Sequence, residues 1–296
     1  MNQKEKLELA ERCRRAGAFG SIAPEILNAL PVQPVNQMIP AGERPSDVNI
    51  LDGTKGKKGQ PLFINLHGGG FIKARADRDT VYCSELADKF QLTVWDVDYV
   101  LAPEYPYPAA VNEAYDIAKY AYEHADEYGY DPERIFFLGH SAGSNLACAA
   151  LIRNYREPAF RIKGMILDYI PVDQRINPFS KLEPEEYQDP KRVSRALMEY
   201  NYLELYMEPE QCIEDLASPA AASDKILASF PDTLIVTAGC DTLLKEGEDF
   251  ACRLAKLGVP VTWKRFVNSR HGFTINRVDE WEAALSLHQR FLKGLI

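Results

Sequence analysis

An α/β architecture is predicted: one mostly parallel sheet, flanked by helices on both faces and carrying a helical cap. Three observations predict it. From about residue 48 onward, short apolar runs alternate with amphipathic stretches, the pattern of parallel strands covered on both sides. Two of those runs end in glycine-rich turns, His67-Gly68-Gly69-Gly70 and Gly139-His140-Ser141-Ala142-Gly143. One long stretch, 172–215, breaks the alternation.

Residues 1–30 read as one or two helices. Leu7, Leu9, Ala10 and Cys13 recur at helical spacing, and Pro24 opens a second segment. Pro31, Pro34 and Pro40 then break regular structure. A strand is expected near Val48-Asn49-Ile50-Leu51, with others at 62–66, 92–98, 134–138, 163–169, 233–238 and 261–266. Helices are expected at 78–90, 109–127, 142–154, 243–257 and 278–294. The 172–215 insertion holds Pro breaks, the charged run Glu183-Pro184-Glu185-Glu186, and a helical stretch with Met198, Tyr200, Tyr202, Leu203 and Tyr206. It is too long for a plain connector. Together with 1–30 it is expected to form a cap over the site of a single domain, 1–296. The alternative is a surface excursion or a contact between the subunits of a homodimer.

The bulk numbers exclude several classes. Apolar residues make up 46% of 296, enough for a substantial core. No apolar run is long enough to span a bilayer, so no membrane partner is expected. Met1-Asn2-Gln3-Lys4-Glu5-Lys6 is polar, unlike a secretory leader, so a cytoplasmic location is expected. A net charge of −9 argues against nucleic acid as a partner. Lys55, Lys57 and Lys58, beside Gly53 and Gly56, read as a solvated hairpin tip. Cys13, Cys83, Cys148, Cys212, Cys240 and Cys252 form no C-x-x-C pair. They read as small buried hydrophobes in a reducing compartment, with no metal site.

The two glycine-rich turns carry the chemistry. Alone, either is an ordinary turn. Each, however, follows an apolar run, Leu62-Phe63-Ile64-Asn65-Leu66 or Arg134-Ile135-Phe136-Phe137-Leu138, and the second leads into a small-residue helix. Gly-x-Ser-x-Gly between a strand and a helix is the elbow of a serine nucleophile, which makes Ser141 the candidate. The upstream glycines and the residue after the serine supply backbone donors for an oxyanion: Gly68, Gly69 and Ala142.

A serine hydroxyl needs a base. Of five histidines, His67 belongs to the glycine-rich turn, and His140 should point away from the nucleophile. His124 and His288 lie within helices, where solvated or core roles are commoner. His271 remains, in a loop after the strand at 261–266, where α/β sites assemble. Its orienting acid is assigned to Asp241, also just past a strand end. The competitors are Glu246, Glu248 and Asp249, expected to face solvent, and Asp215. The order Ser141, Asp241, His271 is that of α/β-hydrolases. Phe71, Met198, Tyr202 and Tyr206 are the candidate substrate-lining residues.

As a set these motifs resemble the hormone-sensitive-lipase-like group of α/β-hydrolase esterases. The resemblance is carried by His67-Gly68-Gly69-Gly70-Phe71, Asp98-Tyr99-Val100-Leu101-Ala102-Pro103-Glu104, Pro108-Ala109-Ala110, Asp131-Pro132-Glu133-Arg134-Ile135, the elbow through Ala147, Ser218-Pro219 and His271-Gly272-Phe273. It implies hydrolysis of short- to medium-chain carboxylic esters through an acyl-enzyme, without cofactor, under a cap. An arylformamidase, an acetyl-sugar deacetylase or a non-catalytic small-molecule receptor are the alternatives on this scaffold. Three positions depart from the family pattern: His140 for Asp, Ser144 for Gly, and Thr242 for Pro. The segment before residue 60 looks short for the first sheet hairpin, so a reduced sheet edge is expected.

Overall fold

The computed structural model describes residues 1–15 and 22–296. Part of the expected N-terminal cap, 16–21, lies outside the described residues. In chain order the elements are α1 (Gln3–Arg15), α2 (Pro24–Asn28), β1 (Val35–Ile39), β2 (Ser46–Asp52), β3 (Gln60–Leu66), α3 (Asp77–Phe90), β4 (Thr93–Asp98), α4 (Ala109–Glu123), α5 (Ala125–Tyr128), β5 (Tyr130–His140), α6 (Ala142–Arg156) and β6 (Gly164–Asp168). They continue with α7 (Pro190–Tyr206), α8 (Asp224–Leu227), β7 (Asp232–Ala238), α9 (Leu244–Lys256), β8 (Val261–Phe266), α10 (Phe273–Asn276) and α11 (Trp281–Lys293).

The strands form one eight-stranded sheet in the order β1-β2-β4-β3-β5-β6-β7-β8. β2 pairs antiparallel with β1 and β4, and every other pairing is parallel. The fold is thus the mostly parallel, helix-flanked sheet that the alternation predicts. Successive side chains of a strand point to opposite faces. Leu62, Ile64, Leu66, Ile135 and Phe137 enter a core shared with α4, α6 and α9. Phe63, Phe136 and Leu138 enter the opposite core, with α3 and α11. Central strands buried on both faces explain why these runs read as continuously apolar.

Four details differ from the sequence reading. The first hairpin is present, since Val35–Ile39 pairs along Ser46–Ile50. Its outward residues are exposed, so it shows no buried run to read. The turn with Lys55, Lys57 and Lys58 joins β2 to β3, which are not neighbours, so it is an exposed turn and no hairpin tip. The helix expected over 109–127 breaks at His124, whose Nδ1 lies 2.9 Å from the Tyr120 carbonyl and whose ring stacks on Tyr120. Cys13, Cys83 and Cys148 are buried, but Cys240 and Cys252 are exposed; all six thiols are free.

Candidate active site

The site forms where strands end. Ser141 links β5 to α6 with φ +52° and ψ −117°, a conformation that costs a non-glycine residue energy and lifts the side chain clear of the strand. Its N–H donates to the Asp168 carbonyl at 2.9 Å. Close approach dictates both elbow glycines. A Cβ at Gly143 would lie 1.9 Å from the Leu66 carbonyl oxygen, and one at Gly139 would lie 2.5 Å from Ser144 Cα.

His271 comes from the loop after β8, and Asp241 from the turn after β7. His271 Nε2 is 2.9 Å from Ser141 Oγ, and His271 Nδ1 is 2.6 Å from Asp241 Oδ2. Three residues spread over 130 positions therefore meet in one line. Burial alone would raise the Asp241 carboxyl. The imidazole charge, its hydrogen bond and the Arg195 guanidinium outweigh that and hold it down at about 2. Tyr169, after β6, packs on the other side of the imidazole, ring centroids 4.7 Å apart.

The glycine-rich loop lies beside the serine. A Cβ on Gly68 would be 3.5 Å from Ser141 Cβ. His67 anchors the loop from below: its Nδ1 is 2.6 Å from the Gly68 carbonyl, its Nε2 is 3.2 Å from Asp98, and its ring stacks on Tyr99 at 4.1 Å. Ala142 starts the fifteen-residue α6 and presents its N–H at the positive end of that helix.

Ser141 and His271 open into a cavity of about 1420 Å³, walled by Phe71, Met198 and Tyr202 among others. Tyr202, on α7, lies flat against the glycine-rich loop: a Cβ on Gly70 would fall 2.0 Å from its ring. Tyr206 is not on the wall. It is buried behind Phe71, with ring centroids 3.8 Å apart and planes within 3°, and meets Tyr107 edge-on at 5.8 Å. Tyr200 is also off the wall, exposed against Phe179. The 172–215 segment and α1 meet at the cavity. Lys6 pairs with Glu208 at 2.8 Å, and Arg14 forks onto Glu104 at 2.8 and 2.6 Å.

The competing acids are otherwise engaged. Glu248 pairs with Arg265, Asp249 with Lys245 and Asp215 with Arg156. Glu246 does not face solvent as its helix position suggested. It is buried, 3.3 Å from Lys181, and burial, reinforced by nearby Glu199, pushes its carboxyl up to about 8 despite that lysine. Among the described residues no three His, Cys, Asp or Glu side chains are grouped to hold a metal ion.

Several neighbours of the triad carried no motif. Asp168, at the buried end of β6, holds His140 at 3.1 Å, His288 at 3.0 Å and Thr274 at 2.7 Å. Its one sequence signal is a charge closing the apolar run Met165-Ile166-Leu167. Arg195, on α7, reaches within 3.9 Å of Asp241 and 2.8 Å of Glu199. Nothing in the sequence separates it from the other basic residues of that helix.

The chain is similar to known hydrolases. A family model described as the alpha/beta hydrolase fold matches residues 63–275. An alpha/beta hydrolase of Acanthamoeba polyphaga mimivirus is 32% identical over 216 residues, 73% of this chain and 61% of the relative, so the matched part is under two thirds of that protein. An arylesterase of Saccharolobus solfataricus is 28% identical over 214 residues, 72% of this chain and 68% of the relative. Among solved structures, carboxyl esterase 2 of the mycorrhizal fungus Tuber melanosporum is 25% identical, covers 100% of both chains and superposes with a TM-score of 0.79. No helix among the described residues is long and apolar enough to cross a membrane.

Proposed function

Because this chain belongs to the α/β-hydrolase fold family, in its hormone-sensitive-lipase-like group, we propose that it is a serine carboxylesterase acting on short- to medium-chain acyl esters. The observation that carries the reading is the continuous line Ser141–His271–Asp241, at 2.9 and 2.6 Å. The relatives named esterases support the reaction class.

The chemistry follows from the line. Ser141 Oγ attacks the ester carbonyl carbon while its proton passes to His271 Nε2. Asp241 fixes the ring with Nδ1 protonated and stabilises the imidazolium. The carbonyl oxygen becomes an oxyanion, for which the N–H groups of Gly68, Gly69 and Ala142 are the donors. The tetrahedral intermediate collapses, the bond to the alcohol oxygen breaks, and His271 gives its proton to that oxygen. Water then attacks the acyl-enzyme with His271 as base. The carboxylic acid leaves and Ser141 regains its proton.

Phe71, Met198 and Tyr202 supply an apolar wall for the acyl or alcohol group, and the 172–215 segment with α1 serves as the cap. A receptor built on this scaffold has no use for an imidazole held between serine and carboxylate. Turnover of p-nitrophenyl acetate by the wild type and by Ser141→Ala tests the reading. Loss of several orders of magnitude in kcat with an intact fold is expected, together with a single organophosphate adduct on the Ser141 peptide. Equal turnover in the two proteins overturns it.

A further inference from the structure

We propose that Arg195 and Glu199 of α7 are positioning residues of the triad: with Thr242 they hold Asp241 in place, and their charges set the pH range in which His271 works as a base. The inference rests on the esterase reading of Ser141 and adds the side chains behind the acid on which its rate depends.

Arg195, Glu199 and Tyr202 recur at intervals of four and three, so they share one face of α7. Tyr202 walls the cavity from that face, and Glu199 is buried on it. A buried carboxylate costs free energy unless donors and cations surround it. An apolar residue at this position would pack without that cost, so the glutamate needs a reason.

Its partners supply one. Thr242 Oγ1 donates to Glu199 Oε1 and stands 3.4 Å from Asp241 Oδ1. Arg195 Nε lies 2.8 Å from Glu199 Oε1 and 3.9 Å from that same Asp241 oxygen. His271 occupies the other oxygen, Oδ2, at 2.6 Å. Asp241 is therefore gripped on one side by the base. On the other side it meets two α7 side chains and the hydroxyl of its own neighbour. Thr242 is buried and stands off the cavity wall, so it does not touch a substrate there.

Charge matters as well as grip. Transfer of the Ser141 proton makes His271 an imidazolium, and nearby charges shift the ease of that step. Against burial, the imidazole and the Arg195 cation hold the Asp241 carboxyl down. The same cation works against an imidazolium, and the Glu199 carboxylate works for it. Behind them Lys181, in the turn at 178–181, faces Glu199 at 4.0 Å and Glu246 of α9 at 3.3 Å. From the glycine-rich loop the Lys73 charge reaches Arg195. Tyr169 packs on the imidazole, and Arg270, next to His271, is held by Asp279 at 2.9 Å. All of these groups stay in every variant below, so the differences between variants report Arg195, Glu199 and Thr242.

The test is the pH profile of kcat/KM for p-nitrophenyl acetate. That substrate has no titrating group, so the acid limb reports the free enzyme. Arg195→Met should move the midpoint of that limb up by about 0.5 to 1 in pH, the scale of one charge several ångströms away in a half-buried site. Glu199→Gln should move it down, and by less, because Thr242 stands between Glu199 and the acid. Arg195→Lys should keep it near the wild-type value. Thr242→Val should lower kcat about tenfold with little change in KM, the scale of one lost buried hydrogen bond. Thr242→Ser should restore it. A midpoint does not depend on how much of a variant folds, so general destabilisation does not imitate the shift. The inference is overturned, and the esterase reading stands, if both charge variants keep the wild-type midpoint or move it the opposite way, or if Thr242→Val turns over as fast as the wild type. If no ester turns over and Ser141 takes no organophosphate label, both fall.

Discussion

Asp168 grips His140 at 3.1 Å through its buried carboxylate, while its backbone carbonyl accepts the N–H of Ser141, the next residue, at 2.9 Å. One residue at the end of β6 therefore fixes the nucleophile turn through both side chain and backbone. The carboxylate is shared with His288 of α11 and Thr274 of α10, and His288 Nδ1 meets Tyr82 OH of α3 at 3.1 Å. His140 thus joins the elbow to the C-terminal helix.

The first prediction concerns acid stability. Burial would raise the Asp168 carboxyl, but the charges and hydrogen bonds of His288 and His140 hold it well below the ordinary carboxylate range. A carboxyl lowered on folding contributes stability above its unfolded value, near 4, and loses it as pH falls toward the folded value. Asp168→Asn should cost roughly 3 kcal/mol near neutral pH, the scale of breaking a buried charged contact. It should also flatten the acid side of the stability profile. Urea melts at a series of pH values check both; an unchanged acid limb argues against the network.

The second separates the acid of the triad from its rivals. Asp241→Asn should lower kcat by about four orders of magnitude with little change in KM, since the imidazole loses the partner that selects its tautomer. Glu246→Gln and Asp215→Asn should retain turnover, because neither acid contacts His271. Steady-state kinetics on p-nitrophenyl butyrate decides it, and the reverse pattern would reassign the acid.

A third uses Glu246. Its carboxyl is pushed up to about 8 by burial. A carboxyl raised on folding favours the fold while protonated and works against it as pH climbs from the unfolded value, about 4.3, through the folded one. The wild type should therefore lose Tm between about pH 5 and about pH 8. Glu246→Gln should lose less. Parallel slopes for the two proteins would mean that Glu246 does not titrate in this range.

The fourth distinguishes two aromatic residues of α7. Tyr202 lines the cavity and Tyr206 lies behind Phe71. Tyr202→Ala should shift the best acyl chain from acetyl or butyryl toward octanoyl. Tyr206→Ala should instead cost roughly 3–5 kcal/mol of stability, the price of deleting a fully buried aromatic ring. Chain-length profiles and denaturant melts of both variants test the pair. If neither changes the ranking of esters, the segment is better read as a contact between subunits.

The sequence by itself determined the order of the strands and long helices from β2 onward, though not the short helices α5, α8 and α10, and it singled out Ser141, Asp241 and His271. Both follow from local rules. Strands buried on two faces must be apolar along their length, as Leu62–Leu66 and Ile135–Leu138 are. Groups placed just past strand ends must meet at one edge of a parallel sheet, whatever else the fold does. β1 escaped because its exposed residues give no apolar run. Tertiary structure alone decided the rest. Asp168 and His288 are 120 residues apart, and only the packing of α11 beside β6 brings them to 3.0 Å. Glu246 looks solvated on its own helix and is buried because α7 and Lys181 close over it. Tyr202 and Tyr206 are four positions apart on one face, yet one meets the cavity and the other the core. Spacing fixes which side of a helix a residue occupies, but how far along that helix the cavity ends depends on the loop packed against it.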